Sequence, residues 1–244
     1  NPVRLVLLLI IITIPLFVVP GLYFPYTAIK AVFFYLLVDL AVIVFLLQKK
    51  PIDRNILLSP LSLFFLGFLG LSVISALSGE SFTRSFFGSS ERMMGILTFF
   101  HLYGFFLLLC HEIKSEPDRL LFLKTSLLTS ILVSFVGFAQ YFFPENHLDR
   151  SAIPVMISTL GNKAYFGFYL ILHFFISLEI FFKKHLSWSA LIGILHGVAI
   201  VLLGVRGIYI GFIMGILILL SGKLWGAVKT QPFRLKQYIS LLVV

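Results

Sequence analysis

The chain has 244 residues, of which 59% are hydrophobic and 12% are charged, and its formal net charge at pH 7 is +9. Soluble domains carry roughly a quarter charged residues, so this composition and the mean hydropathy of +1.06 exclude an ordinary soluble domain and indicate an integral membrane protein. The one cysteine, Cys110, excludes an intrachain disulfide and a cysteine-based metal site.

The apolar runs predict membrane-spanning helices, because they are about 20 residues long, whereas barrel strands need only about 10. We predict an all-α, polytopic helical bundle with eight complete spans and the start of a ninth near Tyr238, in one transmembrane domain over residues 1–244. Because the chain stops inside that ninth apolar segment, we expect it to be the N-terminal part of a longer protein. The eight spans are predicted at 4–19, 28–48, 56–78, 95–112, 120–142, 164–182, 187–204 and 207–221.

The basic residues predict how the bundle is oriented. Of the 19 Lys and Arg residues, 13 fall on one side of the predicted spans and 6 on the other, and the positive-inside rule puts the richer side in the cytoplasm. The six outer cations are Lys30, Arg84, Arg92, Arg150, Lys163 and Arg206. Two longer outer loops, 79–94 and 143–163, carry most of the other polar groups, so a site would face away from the cytoplasm. The basic residues form no patch with interleaved aromatics, so we expect no nucleic-acid partner.

Arg206 is the only formal charge in the 37 residues from 186 to 222. One helix of that length would measure roughly 55 Å, much more than the membrane core, so the chain must reverse. Gly204 and Gly207 flank the arginine and favour a tight turn there, which puts Arg206 at the outer tip of a hairpin. Two interpretations stay open: the guanidinium snorkels to lipid headgroups, or it forms part of an anion site.

Three glycines follow the arginine at four-residue spacing. Gly207, Gly211 and Gly215 lie on one face of the eighth span, a pattern typical of close helix packing in membranes. No strand precedes them and no Lys-Ser or Lys-Thr follows, so the pattern does not indicate a phosphate-binding loop.

Two further stretches place cations at the same outer level. In residues 86–95, FFGSSERMMG, we predict that Ser89 or Ser90 caps the fourth span. Arg92 in that first turn is opposed by the helix dipole, and either a bound anion or an ion pair with Glu91 would remove the conflict. In residues 158–170, STLGNKAYFGFYL, Asn162 is predicted to cap the sixth span, with Lys163 beside it. Arg92, Lys163 and Arg206 together suggest a diphosphate site.

The remaining ionisable residues are less specific. No histidine pair has a metal-binding spacing, and we expect neither a metal nor a cofactor. His147, in the second long loop, is more simply a solvated histidine than a base. Lys30 and Asp39 are nine positions apart in the second span and point to opposite faces, so we predict no ion pair between them. A buried Asp39 would suit a proton-coupled transporter.

The segments SSERMMGILTF, STLGNKAYFGFYL and LLGVRGIYIGFIMG resemble, in content and order, motifs of the O-antigen ligase and O-antigen polymerase family. The resemblance implies a many-helix bacterial inner-membrane enzyme that transfers glycan from an undecaprenyl-diphosphate carrier to a lipid, glycan or protein acceptor without a metal. Arg92 and Arg206 match the family's outward-facing arginines, which hold the diphosphate. The chain departs from the pattern at Lys163, Val205 and Ile208, where the family has proline, serine and alanine.

The resemblance also implies what this chain lacks. The family's proposed base is a histidine in a large outer loop after the ninth span, so we expect no catalytic residue here and no transferase activity from this chain alone. Its expected partners are the carrier-linked glycan, a lipid or glycan acceptor, and membrane lipids. The alternatives are a membrane solute transporter and a non-catalytic membrane subunit.

Overall fold

The computed structural model describes residues 1–49, 51–143 and 156–230, with side chains up to residue 222. These residues form an all-α structure with ten α-helices, and a short 3-10 turn, Ser158–Leu160, precedes the eighth. The helices are α1 Pro2–Leu16, α2 Ala28–Leu47, α3 Arg54–Leu57, α4 Pro60–Leu77, α5 Phe82–Phe87, α6 Ile96–Glu112, α7 Glu116–Phe142, α8 Lys163–Lys184, α9 Ser187–Leu203 and α10 Arg206–Thr230.

The predicted all-α class is confirmed, and the helices indicate a multi-pass membrane protein. Four of them, α2, α4, α7 and α8, are long and apolar enough to cross a membrane, while α1, α6, α9 and residues 206–222 of α10 are shorter apolar helices. These eight helices follow the order of the eight predicted spans. The predicted ninth span near Tyr238 and most of the loop 143–163, including His147, lie outside the described residues.

Capping residues set the helix ends that the apolar pattern alone misplaces. Ser115 and Asp118 form a capping box that starts α7 at Glu116, before the predicted start at 120. Ser59 caps α4, which has proline in its first turn. The predicted span 56–78 therefore divides into α4 and the second half of the one-turn α3.

Apolar packing joins the helices into two main groups. In the first, Val3 and Leu7 of α1 pack with Phe34 and Val38 of α2 and with residues of α6. In the second, α7, α8, α9 and the start of α10 share a core that includes Val133, Phe166, Leu170, Ile200 and Ile208. Helix α1 also contacts α7, so the two groups are continuous.

The predicted reversal before Arg206 is confirmed. Helix α9 ends at Leu203, Gly204 adopts a left-handed conformation with φ of 69°, and α10 begins at Arg206. Only one of the two flanking glycines makes the turn. Gly207 was predicted to contribute, but it is helical, inside the first turn of α10.

Contacts between helix ends define the two ends of the bundle. Arg4, near the start of α1, forms ion pairs with Glu112 at the end of α6 and Asp118 at the start of α7. Lys30, near the start of α2, contacts the carbonyl of Pro15 near the end of α1. We call the end with Arg4 the inner end and the end with Lys30 the outer end, after the predicted orientation.

Candidate anion-binding cavity

An open cavity of about 330 Å³ lies at the outer end, within the size range of small-molecule sites. The start of α2, the loop before α6 and the start of α8 surround it. Its walls carry two cations, Lys30 and Arg92, together with aromatic, apolar and hydroxyl side chains that include Tyr26, Thr98, Leu160 and Tyr165.

Lys30 is held in the cavity wall by backbone carbonyls. Its side chain is buried, with 9% relative exposure, and Nζ donates to the carbonyl oxygens of Thr159 at 2.6 Å and Pro15 at 3.1 Å. An ammonium group has three donors, so one remains for a ligand. No carboxylate in the described ranges forms an ion pair with Lys30. Its charge is therefore solvated by dipoles alone, an arrangement that favours an anion in the cavity.

Thr159 explains why the turn before α8 lies against α1. Its hydroxyl donates to the same Pro15 carbonyl that Lys30 contacts, at 2.7 Å. Pro15 lies in the last turn of α1, where the carbonyls have no intrahelical donors. The wall is thus assembled from the consecutive helices α1 and α2 and from the 3-10 turn, which is far from both in the sequence.

The loop that carries Arg92 is closed by backbone contact between two glycines. Gly88 has φ of 82°, and a Cβ atom on Gly95 would collide with the Phe86 carbonyl oxygen and the Gly88 amide. Met93 also has a positive φ, 51°, which is uncommon outside glycine. Such a loop has few alternative conformations, so it holds Arg92 in one place on the cavity wall.

Helices α2 and α6 anchor this loop through its backbone. The Tyr35 hydroxyl donates to the Met93 carbonyl at 3.1 Å and lies 2.7 Å from the Thr98 hydroxyl. Thr98 donates to the same carbonyl, and Thr27 donates to the carbonyl of Glu91. Every anchor uses a main-chain oxygen, which leaves the Arg92 guanidinium free to face the cavity.

The predicted role of the serines in this loop is wrong. Gly95, and neither Ser89 nor Ser90, is the N-cap of α6. The Ser89 hydroxyl instead accepts from the Arg92 amide at 3.3 Å, and its carbonyl accepts from the Met93 amide at 2.8 Å. Ser89 therefore stabilises the turn that contains Arg92. This turn is not part of α6, because the positive φ of Met93 separates the two.

Arg92 has no ion-pair partner among the described residues, Glu91 included. The interpretation of Arg92 as half of an ordinary surface ion pair thus has no support in the structure. An exposed guanidinium without a carboxylate, on the wall of a cavity that also contains Lys30, suits a bidentate anion such as phosphate.

Lys163 and Arg206 belong to the same end of the bundle, but neither lines this cavity. Lys163 is the first residue of α8, where Asn162 forms the predicted N-cap by accepting from the amides of Ala164 and Tyr165. Arg206 is exposed at the start of α10. The structure therefore places Arg92 and Lys30 on the wall of one cavity. A direct role of Lys163 or Arg206 in binding diphosphate stays a prediction.

The three glycines of α10 differ in what they contact. The Phe175 ring of α8 lies so close to Gly215 that a Cβ atom would collide with it, and Gly211 lies 3.7 Å from Ile171 of α8, measured from an ideal Cβ. Nothing lies within 4 Å of the same point on Gly207. The glycine face of α10 therefore packs against side chains of α8 at Gly211 and Gly215, and not at Gly207.

Lys30 is the site residue that sequence reasoning missed, since from the sequence it is only one of six outer cations. One signal was present: it is the only Lys or Arg within α2. No described group of three or more His, Cys, Asp or Glu residues is arranged to hold a metal ion.

No family model matches the chain, and neither a curated protein nor a solved structure matches it. The geometry of the cavity and the motif resemblance are therefore the two grounds for a function.

Proposed function

We propose that this protein is a membrane component of glycan transfer that binds the diphosphate of a polyprenyl-linked glycan in the outer cavity. In this proposal the eight apolar helices all cross a bacterial inner membrane, and the cavity faces the periplasm. The observation that carries it is the pairing of Lys30 and Arg92 on one open cavity, without a carboxylate partner for either among the described residues.

The two cations suit different parts of one diphosphate. The Arg92 guanidinium offers a planar fork for two oxygens of one phosphate, and the Lys30 ammonium offers a point charge with one donor left. The apolar and aromatic wall, with Leu160 and Tyr165, suits the first isoprene units of the carrier. As the bond between diphosphate and sugar breaks, these cations would stabilise the charge that develops on the leaving group.

The motif resemblance supports the same substrate class independently of the cavity. It matches Arg92 and Arg206 to diphosphate-holding arginines, and Arg92 is the one on the cavity wall. We expect Arg206 to act further along the glycan–diphosphate and to contribute less. The proposal assigns binding of the carrier to these residues and assigns neither the base nor the acceptor site to any of them.

The test is binding of undecaprenyl diphosphate to the purified protein in phosphatidylcholine nanodiscs, measured by native mass spectrometry. Arg92→Ala should weaken binding about 10-fold to 100-fold, because it removes charged hydrogen bonds worth roughly 1.5–3 kcal/mol. Arg92→Lys should recover part of that loss, because it restores the charge without the fork.

The matched control is Arg84→Ala. Arg84 lies on α5 at the same end, is exposed, and does not line the cavity, so its loss should leave binding within about twofold of the wild type. Equal losses for Arg84→Ala and Arg92→Ala would reduce the effect to general surface charge and reject the site.

A further inference from the structure

We propose that Asp39 and His101 form a membrane-embedded proton-binding site, connected by the Tyr35 ring to the loop that carries Arg92. Asp39 lies on α2, about 14 Å along the helix axis from Lys30 at 1.5 Å per residue. His101 lies on α6, and its Nε2 is 3.3 Å from Asp39 Oδ1. The pair therefore lies near the middle of the apolar helices along their length, away from both charged ends.

The contacts of His101 define the two positions at which the pair could bind a further proton. His101 Nδ1 lies 2.7 Å from the carbonyl oxygen of Leu97. A carbonyl only accepts, so Nδ1 carries a hydrogen. Nε2 faces the Asp39 carboxyl at 3.3 Å, and a further proton on either group would bring the net charge of the pair to zero.

The surroundings of Asp39 favour a pair without net charge. Its side chain is 61% exposed on the outside of the bundle, beside the exposed apolar residues Leu36, Leu40 and Ile43. The carboxylate is thus not the buried group that the sequence suggested. An ionised aspartate facing lipid in mid-membrane costs several kcal/mol, and a proton shared with His101 removes the net charge.

Other ionisable groups are too far away or already engaged. Tyr35, whose ring stacks on His101, uses its hydroxyl on Met93 and Thr98. Lys30, on the same helix, contacts two carbonyls, and α4 has no ionisable side chain. The remaining Lys, Arg, Asp and Glu residues on the described helices packed against α2 and α6 lie at the helix ends: Arg4, Arg54, Arg84 and Glu112.

The connection to the cavity consists of two contacts. The Tyr35 and His101 rings are stacked, with centroids 4.4 Å apart and an interplanar angle of 30°. The Tyr35 hydroxyl donates to the carbonyl of Met93, the residue after Arg92. A positive imidazolium is attracted to the tyrosine ring, so loss of the proton weakens the stack that orients this donor.

The test uses the whole chain in phosphatidylcholine nanodiscs without any anion, so its result does not depend on the proposed function. Ring ¹⁵N signals of labelled histidines are recorded at pH 7, with His101 assigned from His101→Gln, and the infrared band of protonated carboxyl groups is recorded on the same sample. The proposal predicts either two protonated nitrogens on His101 or a protonated Asp39. A neutral His101 beside an ionised Asp39 would overturn it.

Variants separate the proton site from general perturbation. Asp39→Asn should leave His101 neutral, with its hydrogen on Nδ1 only, and should abolish any carboxyl band from Asp39. Glu80→Gln changes an exposed glutamate outside the bundle core and should leave the His101 signals unchanged. If Asp39→Asn leaves both ring nitrogens protonated, His101 holds its proton without the aspartate and the pair is not the site.

The connection is tested by the Arg92 side-chain ¹⁵N signal. Asp39→Asn should shift it in the wild-type background and leave it unchanged when Tyr35→Leu has removed the stack. An equal shift in both backgrounds, or none in either, would reject the connection through Tyr35.

Discussion

The two ends of the bundle hold their charges in different ways. At the inner end, Arg4 pairs with Asp118 at 2.7 Å, and Arg119 pairs with Glu116 at 2.9 Å and with Glu179 at 2.6 Å. At the outer end, Lys30 contacts only carbonyls and Arg92 has no carboxylate partner. In the described parts of the chain, every ion pair between a Lys or Arg and a carboxylate lies at the inner end.

This difference separates structural charges from charges that are available to a ligand. The inner pairs join helix ends that are distant in the sequence, such as α1 to α6 and α7 to α8, so they stabilise the bundle. The outer cations Lys30 and Arg92 form no ion pair with another described residue. Lys30 is buried, and a buried charge without a counter-charge is costly. A bound anion would remove that cost at the outer end only.

The largest expected effect tests the structural role of the inner end. Glu112 has 3% side-chain exposure and accepts from Asn1 Nδ2 at 2.6 Å, with Arg4 Nε at 3.7 Å. Glu112→Ala should lower the free energy of unfolding by about 2–3 kcal/mol, because it removes a buried charged acceptor of Asn1 and one of the two carboxylates that pair with Arg4. Denaturant unfolding in detergent micelles measures the change.

Binding at the outer end supplies the contrast for that variant. Glu112→Ala should leave the affinity for undecaprenyl diphosphate unchanged, and the exposed outer variant Glu80→Ala should change neither quantity. If Glu112→Ala weakened binding as much as Arg92→Ala, the two ends would not be functionally distinct.

The second prediction concerns a substitution that distorts the loop at the outer end and leaves every charged residue in place. Gly95→Ala forces the 88–95 loop open, because the obstructing atoms are backbone atoms that cannot move aside, and the strain should cost about 1–3 kcal/mol. Binding of undecaprenyl diphosphate should then fall about as far as in Arg92→Ala, with the inner ion pairs intact. Gly70→Ala is the control, since nothing lies within 4 Å of its new methyl group; equal binding in both variants would show that the loop does not position Arg92.

The third prediction concerns how firmly α10, with Arg206 at its outer end, is held against α8. Gly215→Ala should destabilise the protein by roughly 1 kcal/mol or more, because the Phe175 ring must shift. Gly207→Ala, in open space on the same helix, should be neutral or stabilising by up to about 1 kcal/mol. Thermal unfolding of the two variants compares them directly, and the reverse order would contradict the observed packing.

The smallest expected effect is at Arg206 itself. Arg206→Lys should reduce diphosphate binding only about twofold to threefold, since the residue does not line the cavity and an exposed ionic contact is worth about 0.5 kcal/mol. In cells that express the native gene, the same change should impair glycan transfer while membrane insertion is preserved. Unchanged transfer would favour the interpretation that Arg206 snorkels to lipid headgroups.

The sequence predicted the helices better than it predicted the site. Apolar length alone located eight helices, and the Asn162 cap and the Gly204 reversal follow from local residue chemistry. Lys30 was missed because its partners are carbonyls at positions 15 and 159, and no local pattern predicts a contact between such distant positions. The predicted cap by Ser89 or Ser90 was wrong because the positive φ of Met93 ends the turn at Ser89 before α6 begins at Ile96.

The contact between Asp39 and His101 was not predicted for the same reason as that of Lys30. Each residue is visible in its own apolar helix, but their contact depends on how α2 packs against α6, which neither helix encodes by itself. Arg92 was predicted as a site residue because a cation before a helix conflicts with the helix dipole, and the structure puts it on the cavity wall.

The central claim is that the outer cations contact the diphosphate directly while the inner ones do not. Solid-state NMR with ³¹P–¹⁵N dipolar recoupling on the protein in nanodiscs, with bound undecaprenyl diphosphate and labelled arginine and lysine, measures that contact. We expect dephasing by phosphorus at Lys30 Nζ and at the Arg92 guanidinium, and none at Arg4 or Arg119. Signals from Lys30 and Arg92 that are unaffected by phosphorus while diphosphate is bound would contradict it.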